Sequence, residues 1–186
     1  VPWEACQTLN GSWGYDRDNL DYKSADMLLR MLIDGVAKGG NLLLNVGPTA
    51  RGNIDARAEK PLAQMGEWLR VHGRSIYGAE AFESQPATDT RYTRRGDRLY
   101  VHLFAWPFEF VHLPGLAGKV SYAQLLNDAS EVAMMVIDSD QQAGHMTPAG
   151  QEVGTLTLKL PVQRPDVAIP VVELFLSKEF LESEKK

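Results

Sequence analysis

Between residues 3 and 19 the chain gathers side chains able to hold a sugar: Trp3, Glu4, Trp13, Tyr15, Asp16 and Asn19. An aromatic face takes the apolar face of a pyranose, while carboxylates and carboxamides bond its hydroxyls. Gly11 and Gly14 beside the rings let the backbone bend so that flat side chains are aimed. The same composition also suits a loop whose aromatics only cap an adjacent core, and both readings stand here. Glu4 beside Trp3 could do acid/base chemistry, because an aromatic-lined pocket raises a carboxyl group toward neutral pH. The other reading of Glu4 is a buried carboxylate that holds the loop through a backbone amide or an Arg. By its breakers, the stretch 3–22 reads as loop throughout.

What positions these residues is the stretch Gly39-Gly40-Asn41-Leu42-Leu43-Leu44-Asn45-Val46-Gly47-Pro48-Thr49. A short apolar run bounded by glycines and Gly-Pro suits a strand buried on both faces. Helical patterns flank it. The first starts at Ser24, a good N-cap, with Asp26 in the first turn. Leu28, Met31, Leu32 and Val36 form its apolar stripe, and Lys38-Gly39 ends it. Met27 and Met31 read as core filler. The second helix is expected to start close to Pro61, with Leu62, Met65 and Leu69 inward and Trp68 beside them. Gly73 is its expected C′ residue, and His72 is read as a last-turn cation. Helix, strand, helix is one segment of a parallel α/β sheet or barrel. Asn45 stands at the C-terminal end of the strand, where such folds place ligand-contacting groups.

From Ser75 the period changes. Residues 98–104, 109–113, 120–126, 131–137, 155–160 and 171–176 are short strand-like runs separated by turn signals such as Arg95-Gly96-Asp97 and Pro114-Gly115. Six to eight short strands at near-even spacing imply an antiparallel sandwich. The expected fold is therefore α/β followed by all-β, divided between residues 74 and 82.

Composition narrows the function classes. The 186 residues are 44% hydrophobic and 23% charged, as in ordinary globular chains. A net charge of −5 argues against nucleic-acid binding. The arginines of residues 91–98 fit a solvated hairpin. The single cysteine, Cys6, forms no intrachain disulfide. No apolar run approaches the ~20 residues that span a bilayer. Val1-Pro2 reads like the interior of a longer chain. One strand and two helices cannot close an α/β domain, so the missing neighbours are expected from preceding residues or from self-association with a second copy.

Taken in order, Trp3-Glu4, Ser12-Trp13-Gly14-Tyr15, Gly39 to Pro48, Gly52-Asn53-Ile54, Gly66-Glu67-Trp68-Leu69 and Gly73-Arg74-Ser75-Ile76-Tyr77 resemble the C-terminal part of an α-L-fucosidase of glycoside hydrolase family 29. The resemblance covers residues 3–82. Residues 83–186 match only in kind, since the family commonly appends a β-sandwich. It implies the last elements of a (β/α)8-like barrel over residues 1–80, a sandwich over 81–182 and a frayed tail over 183–186. It implies removal of terminal α-L-fucose with retention, by a carboxylate nucleophile and a carboxylic acid/base, without metal or organic cofactor.

The family's Asp nucleophile lies upstream of Trp3-Glu4, and no stretch here matches it. The chain alone is therefore expected to lack efficient activity. His72, His102, His112 and His145 receive no site role. Trp13 matches the ring that packs against fucose near its methyl group, with Trp3 as a second substrate contact. Glu4 is the acid/base candidate within this chain. Asn45 is expected to order the loop. Arg51, standing before Gly52 where the family commonly has an acidic residue, departs from the pattern. The implied partner is a fucosylated glycan. The rival reading is a non-catalytic sandwich that binds carbohydrate or a partner chain through Trp106-Pro107-Phe108-Glu109-Phe110, unless those rings are hairpin core or interface filler.

Overall fold

The computed structural model describes residues 3–145 and 147–185, so Val1-Pro2 and the last tail residue lie outside the described residues. The chain forms two compact units, Val1–Ala81 and Phe82–Lys186. The first runs β1 (Trp3–Thr8), α1 (Ala25–Ala37), β2 (Gly40–Asn45), α2 (Ala56–His72), a 3-10 turn over Gly73–Ser75 and the two-residue β3 (Glu80–Ala81).

β1 is a strand where loop was expected. It pairs in parallel with β2, from Trp3 opposite Gly40 to Thr8 opposite Asn45. Parallel strands need a crossover, and α1 supplies it. Ser24 caps α1 by accepting the Met27 N–H at 3.2 Å. Gly39, at φ +75°, turns the chain out of it. Leu28, Leu29, Ile33 and Val36 are the buried face of α1, so the stripe is rotated from the one expected, and Met31 and Leu32 are only half-buried.

β2 is not buried on both faces. Gly40, Leu42 and Leu44 turn to the α1 side, where Gly40 lies under the Trp3 ring. Asn41, Leu43 and Asn45 turn to the other side, and Leu43 is 51% exposed. Among the described residues β1 and β2 form a two-stranded sheet and no closed barrel. One strand neighbour and one helix cannot cover a parallel strand completely.

α2 starts a turn and a half before Pro61. Asp55 is its cap and accepts the Arg57 N–H at 2.8 Å. The proline sits inside the helix, buried, and costs it one backbone bond. Gly73 does not take a left-handed conformation; its φ is −57°. It is glycine for a different reason, because a Cβ there would stand 2.8 Å from the Tyr77 ring. His72 is no surface cation. It is fully buried, stacked on Trp68 at 4.7 Å, and burial pulls its pKa down.

The second unit is antiparallel. β4 (Thr90–Arg95), β5 (Arg98–Leu103), β6 (Phe110–Leu113), β7 (Val120–Leu125), β8 (Ala133–Met135), β9 (Leu156–Lys159) and β10 (Val171–Leu176) precede a short α3 (Lys178–Ser183). β4, β5, β10 and β7 lie side by side, and β6, β9 and β8 form a second sheet. The inward residues of both meet in one core, with Leu99, Leu113, Leu158 and Leu174 fully buried. That is the sandwich arrangement. The hairpin between β4 and β5 turns on Gly96 at φ +59° and Asp97. The tail expected to fray from residue 183 is ordered further, since Ser183 ends α3 and Glu184 pairs with Arg94.

Leu158 occupies the middle of the central strand of the smaller sheet with no exposed surface. Leu158→Ala is expected to cost about 2–5 kcal/mol of stability. Urea unfolding should show the midpoint falling while the slope stays as it is.

Candidate functional site

The strands β1 and β2 end together, and the chain leaves their C-terminal ends in two loops, 9–23 and 46–54. The first is closed at its neck, where the Lys23 N–H donates to the Leu9 carbonyl at 2.9 Å and Lys23 Nζ donates to the Thr8 carbonyl at 2.6 Å. Inside it, side chains fold the backbone into short turns. Asn10 Oδ1 accepts the Ser12 N–H, Asp16 Oδ1 accepts the Asp18 N–H, and Asn19 Oδ1 accepts the Asp21 N–H, each at 2.9–3.0 Å. Asp16 and Asn19, read as hydroxyl ligands, are thus turn-formers through those oxygens.

Trp13 sits on this loop with 61% of its surface exposed. Three contacts fix its backbone. Asn45 Nδ2 donates to the Trp13 carbonyl at 2.5 Å. Gly47 passes so close that a Cβ would lie 2.5 Å from the Gly14 carbonyl carbon and the Tyr15 nitrogen. Backbone cannot yield there, so the position admits only glycine. Arg57 reaches over from α2 and donates from Nη1 to the carbonyls of Arg17 at 2.9 Å and Asn19 at 3.3 Å. Its other nitrogens grip Asp55, Nε on Oδ1 at 2.8 Å and Nη2 on Oδ2 at 2.9 Å. The guanidinium also lies 5.3 Å from the Tyr22 ring centre. This forked pairing holds the Asp55 carboxyl at about 2, below its ordinary 3.8. Asp55 therefore supports the loop above that ordinary value, and the support is lost only as pH falls toward about 2.

Trp3 and Glu4 lie elsewhere. Trp3 faces α1, and its Nε1 donates to the Lys38 carbonyl at 3.1 Å, capping the end of that helix. Glu4 is opposite Asn41 and turns to the uncovered face, together with Cys6, Thr8, Leu43 and Asn45. It is exposed, so the buried-carboxylate reading does not describe it. Four residue steps along the strand separate it from Thr8, roughly 13 Å at the usual rise. The structure therefore brings Trp13 and Asn45 together at one end of the sheet and leaves Trp3 and Glu4 at the other. Asp55 and Arg57 were not singled out in the sequence. Their signal was an Asp after a turn-rich loop and before a helical run.

In the second unit, Trp106 packs on the core and donates from Nε1 to the Pro161 carbonyl at 3.2 Å, whereas Phe108 is 79% exposed. Trp106, Phe108 and Phe110 do not form one aromatic platform. Among the described residues, no three His, Cys, Asp or Glu side chains lie close enough to hold a metal ion. No helix among them is long and apolar enough to cross a membrane.

Arg57→Ala removes the bonds from α2 to the Arg17 and Asn19 carbonyls at once, and Lys cannot replace a fork that bonds Asp55 and two carbonyls together. Both variants are expected to speed tryptic cleavage after Arg17 several-fold in limited digestion, while cleavage after Arg95 stays unchanged.

The comparisons with known proteins agree with this geometry. Residues 1–74 match the family model described as Alpha-L-fucosidase. A plasma alpha-L-fucosidase of Rattus norvegicus is 34% identical over 143 residues, which is 73% of this chain and 29% of that protein. Alpha-L-fucosidase isoenzyme 1 from Paenibacillus thiaminolyticus superposes with a TM-score of 0.85 at 38% identity, over 96% of this chain and 40% of that one. The Thermotoga maritima alpha-fucosidase in complex with fucose gives a TM-score of 0.75 at 27% identity, over 93% of this chain and 40% of that one. The chain thus spans less than half the length of the relatives it matches. In motif order, sequence identity and fold, it belongs to the alpha-L-fucosidase family.

Proposed function

We propose that this chain is the C-terminal portion of a retaining α-L-fucosidase, carrying the last elements of its (β/α)8-like barrel and the accessory sandwich. The observation that carries the reading is the β1-α1-β2-α2 succession with an exposed, backbone-clamped Trp13 at the C-terminal ends of its strands. Barrel enzymes build their sites at that end. The uncovered face and the open strand edges fit a sheet continued by other barrel strands, or by a second copy of this chain.

In the complete protein, Trp13 offers its ring to the apolar face of the fucose, and Asn45, Gly47 and Arg57 hold that ring in place. The relative from Thermotoga maritima is described in complex with fucose. The substrate is then a fucosylated glycan or glycoside. The chemistry needs two carboxyl groups ~5 Å apart, one attacking the anomeric carbon and one protonating the leaving oxygen. The nucleophile belongs to a strand that this chain does not contain. Glu4 is carried as the acid/base candidate on the resemblance and on its turning away from the helix, the interior side of such a barrel. Its level on β1, a strand's length from Trp13, counts against it. Trp3, capping α1, acts on the fold rather than on the sugar.

The chain by itself is expected to show no turnover of 4-nitrophenyl α-L-fucoside. Turnover at ordinary glycosidase rates, abolished by Glu4→Gln, overturns the assignment of the nucleophile to another segment. In the complete enzyme, an acid/base role makes Glu4→Gln cost roughly 10²–10⁴-fold in kcat on a poor leaving group. An activated aryl leaving group should be spared. Equal loss on both substrates would make Glu4 a structural residue.

A further inference from the structure

The second unit has an opening of about 400 Å³ that plays no part in the reading above. Its walls come from three places. Ala87, Thr88, Asp89 and Thr90 lead into β4; Leu103, Ala105 and Pro107 follow the end of β5; Phe110, Val111 and His112 belong to β6. Among the described residues β6 pairs only with β9, so its other edge is open on this side of its sheet.

The opening is held in shape by bonds along its walls and just beyond them. The connection from β5 to β6 is pinned where the Phe104 N–H donates to the Asp89 carbonyl at 2.8 Å. It is pinned again where the Leu160 N–H donates to the Glu109 carbonyl at 2.7 Å. Glu109 also pairs with Lys159 at 3.1 Å, and Trp106 is tied to Pro161. Asp89 itself has φ +56°, a conformation that non-glycine residues adopt at some cost. The Phe104 bond and the Thr90 N–H on the Ala87 carbonyl at 3.1 Å keep it there.

The chemistry of the lining is selective. Pro107 and Phe110 are apolar. His112 has Nδ1 engaged with Thr157 Oγ1 at 2.9 Å, which leaves Nε2 as its remaining hydrogen-bonding atom. Burial lowers the His112 pKa, so the imidazole is neutral at neutral pH and serves hydroxyls rather than anions. The Asp89 carboxylate makes no hydrogen bond or ion pair among the described residues and can accept two hydroxyl donors. No Lys or Arg is among the residues lining the opening. A phosphate, sulfate or carboxylate ligand would meet the Asp89 charge with no cation in the lining. The volume lies within the range of small-molecule sites.

We propose that this opening is a second, non-catalytic pocket that takes a neutral saccharide, with Phe110 and Pro107 under an apolar ring face and Asp89 and His112 on its hydroxyls. This pocket does not depend on the catalytic assignment, because none of its residues belongs to the first unit.

The test titrates the full chain with lactose, L-fucose and D-glucuronate, followed by saturation-transfer NMR and calorimetry. Wild type is expected to bind at least one neutral sugar and not glucuronate. Asp89→Asn keeps a residue that tolerates the left-handed backbone, and it should weaken binding roughly tenfold. Phe110→Ser should abolish binding, while Trp13→Ala should leave it unchanged. Absence of binding by both neutral sugars overturns the proposal. So does binding that survives Asp89→Asn and Phe110→Ser, equal binding of glucuronate, or binding lost with Trp13→Ala.

Discussion

A parallel strand satisfies its backbone and its two faces only when it has neighbours on both edges and cover above and below. Among the described residues β1 and β2 have only each other as strand neighbours. That single deficit explains most of what is unusual in the first unit. It leaves Leu43 half in solvent in the middle of a Leu-Leu-Leu run. It leaves Glu4, Cys6 and Asn41 exposed on a bare face, though Ala5, Gln7 and Leu44 on the other side are at least half-buried. Covering such a face is worth roughly 25 cal/mol for each Å² of apolar surface removed from water. The relatives that the chain matches are longer than the chain.

Around this sheet the loop that carries Trp13 is buried only at its start, where Leu9 enters the core. Its rigidity comes from hydrogen bonds that converge on backbone carbonyls: from Asn45 to residue 13, and from Arg57 to residues 17 and 19. A loop aimed in this way loses little freedom when a ligand arrives, which is where pre-organised sites gain affinity. The Asp55–Arg57 pair lies at the surface, where an isolated ion pair contributes little to stability. Its part here is geometric. Asp55 caps α2 and holds the guanidinium at the same time, so the start of the helix and the position of the loop are set by one carboxylate.

Much of this was legible in the sequence, and the failures have physical causes. The switch from helical to alternating period near residue 75 corresponds to the change from an α/β unit to an antiparallel one. Ser24 and Gly39 named the ends of α1 because capping is local chemistry. β1 was missed because Trp-Glu-Ala-Cys-Gln-Thr has neither alternation nor a β-branched run, and its pairing to β2 is a tertiary fact. Pro61 misled because a proline normally marks a first turn; here the Asp55 cap and the buried ring outweigh one lost bond. Gly73 misled in the opposite way. It was read for its freedom of φ, and it is needed for the room it leaves to Tyr77. Glu4 and Trp13 looked like neighbours in sequence, but a strand's worth of backbone stands between them, and spacing along a chain cannot show which end of a strand a residue occupies.

The arginine-rich hairpin shows how the second unit uses charge. Residues 91–98 are the densest positive stretch of an otherwise acidic chain, yet three of the four arginines are drawn onto aromatic rings. Arg91 lies 5.2 Å from the centre of the Phe104 ring, Arg94 lies 5.9 Å from that of Phe82, and Arg98 lies 3.8 Å from that of Phe175. Arg94 also reaches Glu184 with both terminal nitrogens, and Arg98 reaches Asp97 and Glu173. The guanidinium groups of Arg94 and Arg98 therefore cover apolar surface while carboxylates meet their charge from the side, which is the way planar cations stabilise an exposed sheet. A strip arranged like this has no row of free cations to offer a phosphate backbone. The same strip holds α3 through Arg94 and Glu184 and so orders a terminal segment that composition alone marked as loose. The cations were legible in the sequence, but their partners were not, because those partners stand up to ninety residues away.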